Sequence, residues 1–232
     1  MPALEHFDTL QLVALAAALG WASGLRLYAV LFIVGAVGYL GLVELPIGLR
    51  ALMHPFVLAA SGFMCFVEFF ADKIPGVDSV WDIVQTFIRI PAGAALAAGV
   101  FGESSAASML AAGILGGTLA AGSHVAKTGS RALINTSPEP FSNWTASFGE
   151  DLAVGTLLWL AFAHPVAALV VLAVLIALTV FAAPSTRSLS ISRLRSIDWL
   201  KALVPGAVPI VEPEADGSPV GTEREPRKPL TP

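Results

Sequence analysis

The sequence contains few charged residues, which a water-soluble protein needs on its surface. It also contains too few cysteines for a disulfide-stabilised protein. Charged residues make up 13% of its 232 residues, whereas soluble domains carry about 25%. Hydrophobic residues make up 56%, and the mean hydropathy is +0.77. Cys65 is the only cysteine, so no intrachain disulfide can form and a buried apolar role is expected for it. These shortages exclude an ordinary soluble domain and indicate an integral membrane protein.

Two further signals are missing from the chain. The start, MPALEHFDTL, has no positively charged region of the kind that opens a signal peptide, so the first apolar segment is expected to remain in the mature protein. The net charge of −4 comes partly from an acidic tail, and it favours no nucleic-acid partner.

Long apolar runs predict an all-α, polytopic membrane helix bundle of six or seven helices, with broken or re-entrant segments. Residues 10–43 are too long for one straight span, and a break near Ser23–Arg26 would divide them into two short helices. The other apolar helices are expected at about 55–71, 80–101 (bent at Pro91), 105–126, 147–163 and 166–183.

The composition changes after Pro184, which predicts a membrane domain at 1–184, an amphipathic surface helix within 185–203 and a disordered tail at 204–232. The positively charged residues near the end of the last apolar helix place the C-terminus in the cytoplasm of a bacterial inner membrane; they are Arg187, Arg193, Arg195 and Lys201. Counting back through the helices puts Glu103 outside and the polar stretches 72–80 and 127–146 inside.

Two polar stretches carry the candidate functional residues. In the first, Glu68 and Asp72 are four residues apart on one helical face, and Lys73 follows as a further candidate. A single polar stripe with i, i+4, i+7, i+11 spacing follows, made of Asp78, Asp82, Gln85 and Arg89. The second stretch contains Lys127, Arg131, Asn135, Glu139, Asn143, Glu150 and Asp151. Charges within or beside membrane helices are costly, so both stretches are candidates for a binding site, and they are expected to meet in one polar pocket.

Local structure offers a competing explanation for several of these residues. Ser79 and Asp82 form an S-x-x-D capping pattern, and Ser147 and Glu150 repeat it with Glu. Asn135, Glu139 and Asn143 are expected in a Pro-rich loop, whose turn chemistry also accounts for them. Arg89 lies further inside its helix and is expected to pair with Asp82, Glu150 or Asp151. Arg26 and Arg131 each follow a glycine at an expected helix break, where they can hold phosphate or carboxylate or simply anchor the inner side.

The order G-x-R, helix, H-P occurs twice in the chain. Gly24-Leu-Arg26 is echoed by Gly129-Ser-Arg131, and His54-Pro55 by His164-Pro165. This order is compatible with an internal duplication of the kind that transporters contain, and also with coincidence, because the matches are short.

The blocks EFFADKIPGVD from Glu68 and NTSPEPFSN from Asn135 resemble those of a bacterial multi-pass membrane family, domain of unknown function 4126. The resemblance covers roughly residues 10–183 and implies a membrane location without an activity. Glu68-Phe-Phe-Ala-Asp72 and Gly129-Ser-Arg131 are also loosely similar to undecaprenyl-pyrophosphate phosphatases, which pair a Glu-rich helix end with a G-x-S-R-S turn. The rest of that signature is absent here, so no catalytic role is transferred.

Three functions fit these features. The first is a transporter, channel or translocase for a small ion or an anionic, phosphorylated substrate. The second is a lipid-phosphate or polyprenyl-pyrophosphate enzyme using a divalent cation, with Glu68 and Asp72 as the first candidate ligands. The third is a membrane scaffold whose tail recruits a soluble partner. The lipid bilayer is the partner in every case, and the sequence leaves a homo-oligomer open.

Overall fold

In a computed structural model, the chain is described over residues 7–74, 77–135 and 140–195. The described residues form six α-helices and one 3₁₀ helix, Ile47–Met53, without a strand. The α-helices are α1 Thr9–Tyr39, α2 Pro55–Ala71, α3 Val77–Val100, α4 Ala106–Ile134, α5 Pro140–Ala163 and α6 Pro165–Arg195. The all-helical bundle expected from the sequence is therefore confirmed. The described residues as far as Ser190 belong to one compact unit, and the end of α6, residues 191–195, belongs to another.

Helix α1 folds back on itself at Arg26. Arg26 has non-helical backbone angles (φ −142°, ψ 69°) within the helix. Leu12, near the start of α1, lines a cavity together with Leu45, and a Cβ on Gly38, near the end of α1, would lie 2.5 Å from Leu45 Cδ1. A straight helix of 31 residues would hold its ends about 45 Å apart. Both ends of α1 lie near one loop, so the chain reverses at Arg26, within the break that the sequence predicts.

The first arm of α1, residues 9–25, packs against α3 and α4 through small residues. A Cβ on Gly20 would lie 2.6 Å from the Cα of Gly116 in α4, and a Cβ on Gly93 in α3 would lie 3.4 Å from the Gly20 carbonyl oxygen. Such contacts let helix backbones approach more closely than larger side chains allow, as is usual in membrane proteins. The second arm, residues 27–39, runs alongside α2, where Gly62 contacts the Phe32 ring.

The bundle is apolar outside and charged inside. Large hydrophobic side chains are exposed on several helices, for example Phe56 at 77% and Phe87 at 81%, whereas Arg26 and Arg89 are at most 1% exposed. This distribution is the reverse of a soluble protein and fits a lipid surround. Four described helices are long and apolar enough to cross a membrane, or five if the 3₁₀ helix and α2, bent by 72°, count as one span.

The boundaries around the second polar stretch differ from the expectation. Helix α4 continues to Ile134 and α5 begins at Pro140, so most of residues 127–146 is helical instead of looped. The expected helix break at Gly129-Ser-Arg131 is therefore wrong, and Asn143 lies in a helix. The capping pattern predicted at Ser147 is also wrong, because Ser147 lies inside α5; likewise α3 begins at Val77, before Ser79. The helices extend through these polar residues because the polar side chains make buried contacts with other helices.

The C-terminal boundary is described only in part. Helix α6 continues through Pro184 to Arg195, so the structure has no separate helix beginning at 188 over the described residues. The rest of the predicted surface helix and the whole predicted tail at 204–232 lie outside the described residues.

Phe7 lines one cavity with Glu44 and Glu103, so the start of α1 lies at the end of the bundle opposite the polar stretches.

Candidate functional site: a buried charge cluster

The polar stripe of α3 faces the interior, as its spacing predicts. Asp78, Asp82, Gln85 and Arg89 are each 0–2% exposed. Residues at i, i+4, i+7 and i+11 share one helical face, and burying that face removes four polar side chains from lipid together. Asp82 Oδ1 accepts a hydrogen bond from Arg89 Nη1 at 3.1 Å, which confirms one of the partners expected for Arg89. Asp82 is thus an ion-pair partner and no helix cap.

The end of α2 brings two carboxylates to the same interior. Glu68 is 1% and Asp72 is 0% exposed. Arg89 Nη2 forms a short ion pair with Glu68 Oε1. Asp72 Oδ2 accepts from Lys127 Nζ at 2.7 Å and lies 2.6 Å from Arg26 Nη1. The pair of carboxylates that the sequence assigns to one face therefore binds three different cations from three other helices.

Helix α4 contributes a basic stripe, of which the sequence analysis missed one member. His124, Lys127 and Arg131 lie at i, i+3 and i+7, and each is 1–2% exposed. His124 Nε2 lies 2.7 Å from Thr86 Oγ1, and its Nδ1 lies 3.4 Å from Arg89 Nη1. The helical spacing to Lys127 was a signal that could have identified His124.

The reversal of α1 supplies backbone acceptors as well as Arg26. A helix that ends leaves its last carbonyls without intrahelical partners. At this break, Gly24 O accepts from Arg89 Nη1 at 3.3 Å and Leu25 O accepts from Lys127 Nζ at 3.2 Å. Cations are favourable at such a helix C-terminus because its dipole is negative there. The break and the cations of α3 and α4 therefore stabilise each other.

Helix α5 provides the last acceptors for the buried arginines of α1 and α4. Glu150 Oε1 accepts from Arg131 Nη2 at 2.9 Å, and Asp151 Oδ1 lies 3.0 Å from Arg26 Nε. Ser147 Oγ accepts from Arg26 Nη2 at 2.6 Å, a role that the sequence analysis missed because it treated Ser147 as a cap. These residues complete the charge cluster, defined here as Arg26, Glu68, Asp72, Asp82, Arg89, Lys127, Arg131, Glu150 and Asp151.

The amides of the second polar stretch tie it to the first. Asn135 Nδ2 donates to both carboxylate oxygens of Asp78, at 3.0 and 2.9 Å. Asn143 Nδ2 donates to Asn135 Oδ1 at 2.7 Å, and Asn143 Oδ1 accepts from Arg131 Nη1 at 3.0 Å. The two polar stretches therefore meet at one end of the bundle. Glu139 lies outside the described residues.

Lys73 stands apart from the ion pairs. Its Nζ lies 3.0 Å from the centre of the Phe69 ring and 4.8 Å from that of Phe148, and it donates to Ser147 Oγ at 3.3 Å. A cation over an aromatic face is attracted by the ring quadrupole. Partial burial lowers the pKa of Lys73 below its ordinary value, and the charge of Arg26 lowers this pKa further.

Within the charge cluster, carboxylates outnumber cations. Four cations (Arg26, Arg89, Lys127 and Arg131) face five carboxylates. Buried atoms without a hydrogen-bond partner among the described residues include the oxygens Glu68 Oε2, Asp72 Oδ1 and Asp82 Oδ2, and also the Nε atoms of Arg26, Arg89 and Arg131. An unsatisfied buried acceptor costs about 1–3 kcal/mol. With five carboxylates to four cations, the charge balance of the cluster is suited to one further cation. In the described part of the chain, no three His, Cys, Asp or Glu side chains are grouped to hold a metal ion.

The stability of the protein is expected to fall at acid pH as Asp72 takes up a proton. Burial works to raise the pKa of Asp72, but Lys127 and Arg26 outweigh it and hold this pKa below its ordinary value. The folded protein therefore binds this proton less tightly than the unfolded chain, and the resulting stabilisation is present above about pH 4 and is lost as the pH falls below that. Thermal unfolding in detergent between pH 7 and pH 3 measures it. The Asp72→Asn variant should be less stable than the wild type at pH 7, and its stability should fall less between pH 7 and pH 3. An equal fall in stability for the variant and the wild type would contradict this prediction.

Comparison with known proteins gives a family without an activity. A family model described as Domain of unknown function (DUF4126) matches residues 13–185. This range includes the whole charge cluster and α1 to α5 except the first four residues of α1. No curated protein and no solved structure matches the chain.

Proposed function

The chain belongs to the family described as Domain of unknown function (DUF4126), and from the geometry of its charge cluster we propose that it transports a small ion across the membrane. The ion binds at the cluster, within the bundle. The observation that supports this proposal is a set of buried carboxylate oxygens that have no hydrogen-bond partner among the described residues and lie beside a broken helix. Charged groups inside membrane proteins usually mark ion or substrate pathways.

A purely structural network is the competing explanation for buried ion pairs. Such a network gains most when every lone pair and every proton is satisfied, because partly satisfied buried charges are costly. Here Glu68 and Asp82 each use one oxygen on Arg89 and leave the other without a partner among the described residues. A bound ion would satisfy these oxygens, so the geometry favours a ligand over structure alone.

The reversal at Arg26 also supports transport. Transporters place ion sites where helices are interrupted, because freed carbonyls and helix ends there interact directly with ions. Gly24 O and Leu25 O are such carbonyls, and they are held by Arg89 and Lys127. If either cation moved, a backbone carbonyl and a carboxylate would both lose their partner and become available to an ion. The charged groups of the cluster can therefore pair in more than one arrangement.

The enzyme alternative has less support. It requires Arg89 or Arg131 to neutralise a pyrophosphate, but Arg89 is paired with Glu68 and Asp82, and Arg131 with Glu150. An anionic substrate would have to displace these carboxylates, and the same holds for transport of a phosphorylated solute. The scaffold alternative depends on residues 185–232, most of which lie outside the described residues.

Flux through liposomes tests the proposal. Purified protein in proteoliposomes is expected to carry protons or alkali cations, and Glu68→Gln and Arg131→Gln are expected to lower the flux at least tenfold per folded molecule. Because Arg131→Gln also loses a buried ion pair and so some stability, the flux of each variant is measured on its monodisperse fraction. Arg50→Gln is the matched control, because Arg50 and its partner Glu44 are each 52% exposed and lie outside the charge cluster. Absence of flux for every ion in the wild-type protein would contradict transport. Metal-dependent release of phosphate from a polyprenyl pyrophosphate would instead favour the enzyme.

A further inference from the structure

A cavity of about 230 Å³ lies between the second arm of α1, α2 and α5 and reaches the charge cluster from the side. Its polar lining consists of Arg26, Glu68 and Asp151, and its apolar lining includes Ile33 and Phe69. A small concave site with mostly apolar walls and a few convergent polar groups is the usual form of a ligand site.

The polar groups of this cavity carry a net negative charge when ionised. Glu68 is 1% exposed, and its Oε2 has no hydrogen-bond partner among the described residues. Arg26 is already engaged by Asp72, by Asp151 and by the hydroxyl of Ser147. The side chain of Asp151 remains 34% exposed. The cavity wall therefore contains one cation and two carboxylates, and Glu68 Oε2 lacks a hydrogen-bond donor or an ion as its partner.

From this geometry we infer that the cavity binds a small monovalent cation, which Glu68 and Asp151 hold through their carboxylate oxygens. The inference rests on the proposed function, and it identifies this cavity as the binding site and a cation other than the proton as the ion bound there. An anion would meet two carboxylates and an arginine whose charge is already paired with Asp72 and Asp151. A cation instead supplies the partner that Glu68 Oε2 lacks, and apolar walls strengthen its attraction to the carboxylates by excluding water.

Cys65 provides a direct probe, because it lines the cavity and is the only cysteine in the chain. The rate of its modification in the purified full-length protein is measured with two methanethiosulfonate reagents, one carrying a trimethylammonium group and one a sulfonate. Relative to their rates with a free thiol in solution, the cationic reagent is expected to react about tenfold faster. Equal relative rates, a faster anionic reagent, or no reaction with either reagent would overturn the inference.

Protection of Cys65 then identifies the cation. Sodium, potassium and methylammonium chlorides are added separately, with the ionic strength held constant by N-methyl-D-glucamine chloride. At least one of the three is expected to slow modification by a small neutral thiol reagent several-fold. Asp151→Asn is expected to weaken both this protection and the preference for the cationic reagent, whereas Glu103→Gln, at the opposite end of the bundle, is expected to leave both unchanged. Protection that responds to pH alone, and to none of the cations, would show a proton site and overturn the cation site.

Flux measured on the same variants separates this inference from the proposed function. Protection by a cation without any flux would leave the cavity as a cation site and refute transport. Cation flux that Asp151→Asn leaves unchanged, together with the absence of protection in the wild-type protein, would retain transport and refute the cavity as its binding site.

Discussion

Replacing Arg26 with glutamine is expected to destabilise the protein by about 3–5 kcal/mol, the range observed when one partner of a buried ion pair is removed. Arg26 is 1% exposed and is bound to Asp72, Asp151 and Ser147. Glutamine would leave these acceptors buried without a positive charge, and it would do so at the residue where α1 reverses. Thermal unfolding in detergent and the yield of monodisperse protein measure the effect.

The matched control for Arg26 is Arg50→Gln. Arg50 also carries a positive charge close to a carboxylate, but its ion pair with Glu44 is 3.4 Å long and both side chains are 52% exposed. Exposed ion pairs contribute about 0–1 kcal/mol, so this variant should unfold close to the wild-type temperature. Arg26→Lys should recover only part of the loss, because lysine cannot present several planar donors at once. Equal stability of Arg26→Gln and Arg50→Gln would show that the cluster does not stabilise the fold.

Adding one methyl group at Gly24 is expected to cost at least about 3 kcal/mol, the upper end for overpacking a core. A Cβ at Gly24 would collide with the hydroxyl of Ser123 and with the backbone carbonyl of Ala120. The hydroxyl can rotate away, but the carbonyl belongs to α4 and moves only with its helix. We therefore expect Gly24→Ala to separate the first arm of α1 from α4 and to disturb the Gly24 carbonyl that Arg89 contacts.

Gly122→Ala is the opposite test on α4. A Cβ at Gly122 meets nothing within 4 Å, and alanine is favoured over glycine inside a helix by about 0.5–1 kcal/mol. This variant should therefore be as stable as the wild type or slightly more stable, whereas Gly24→Ala should be much less stable. The unfolding temperatures of the two variants in the same detergent give the comparison. If both variants shifted in the same direction by the same amount, close packing of α1 on α4 would not explain the glycine at position 24.

Much of the architecture follows from periodicity and composition. The apolar runs predict the helices because only a helix satisfies its own backbone hydrogen bonds in lipid. The spacing of Asp78, Asp82 and Arg89 predicts one buried face on α3, and the structure confirms it. The break near Ser23–Arg26 follows from length, because residues 10–43 exceed the thickness of a bilayer. The meeting of the two polar stretches follows from their need for countercharges.

The boundaries of α4 and α5 could not be obtained in the same way. Composition treats Lys127 and Arg131 as the start of a polar loop, but both side chains point inward and pair with carboxylates of other helices. Likewise, Ser147 matches a local capping pattern, yet its hydroxyl accepts from Arg26, 121 residues away in the chain. Local patterns report only on residues that are close in sequence. An unpaired charge in lipid costs more free energy than a helix cap contributes, so a buried ion pair with a distant residue decides the structure instead of the local pattern.

The sequence by itself determined the class of this protein, the polar face of α3, and most of the charged residues that had to find partners. Only the tertiary structure decided which partners they found. The reversal of α1 at Arg26 brings Gly24 O and Leu25 O to Arg89 and Lys127, and it leaves Glu68 with one oxygen at a cavity. The physical reason is that several pairings of four cations with five carboxylates satisfy the same charge balance. The packing of glycine-rich helix faces selects one of them by fixing how closely each pair can approach.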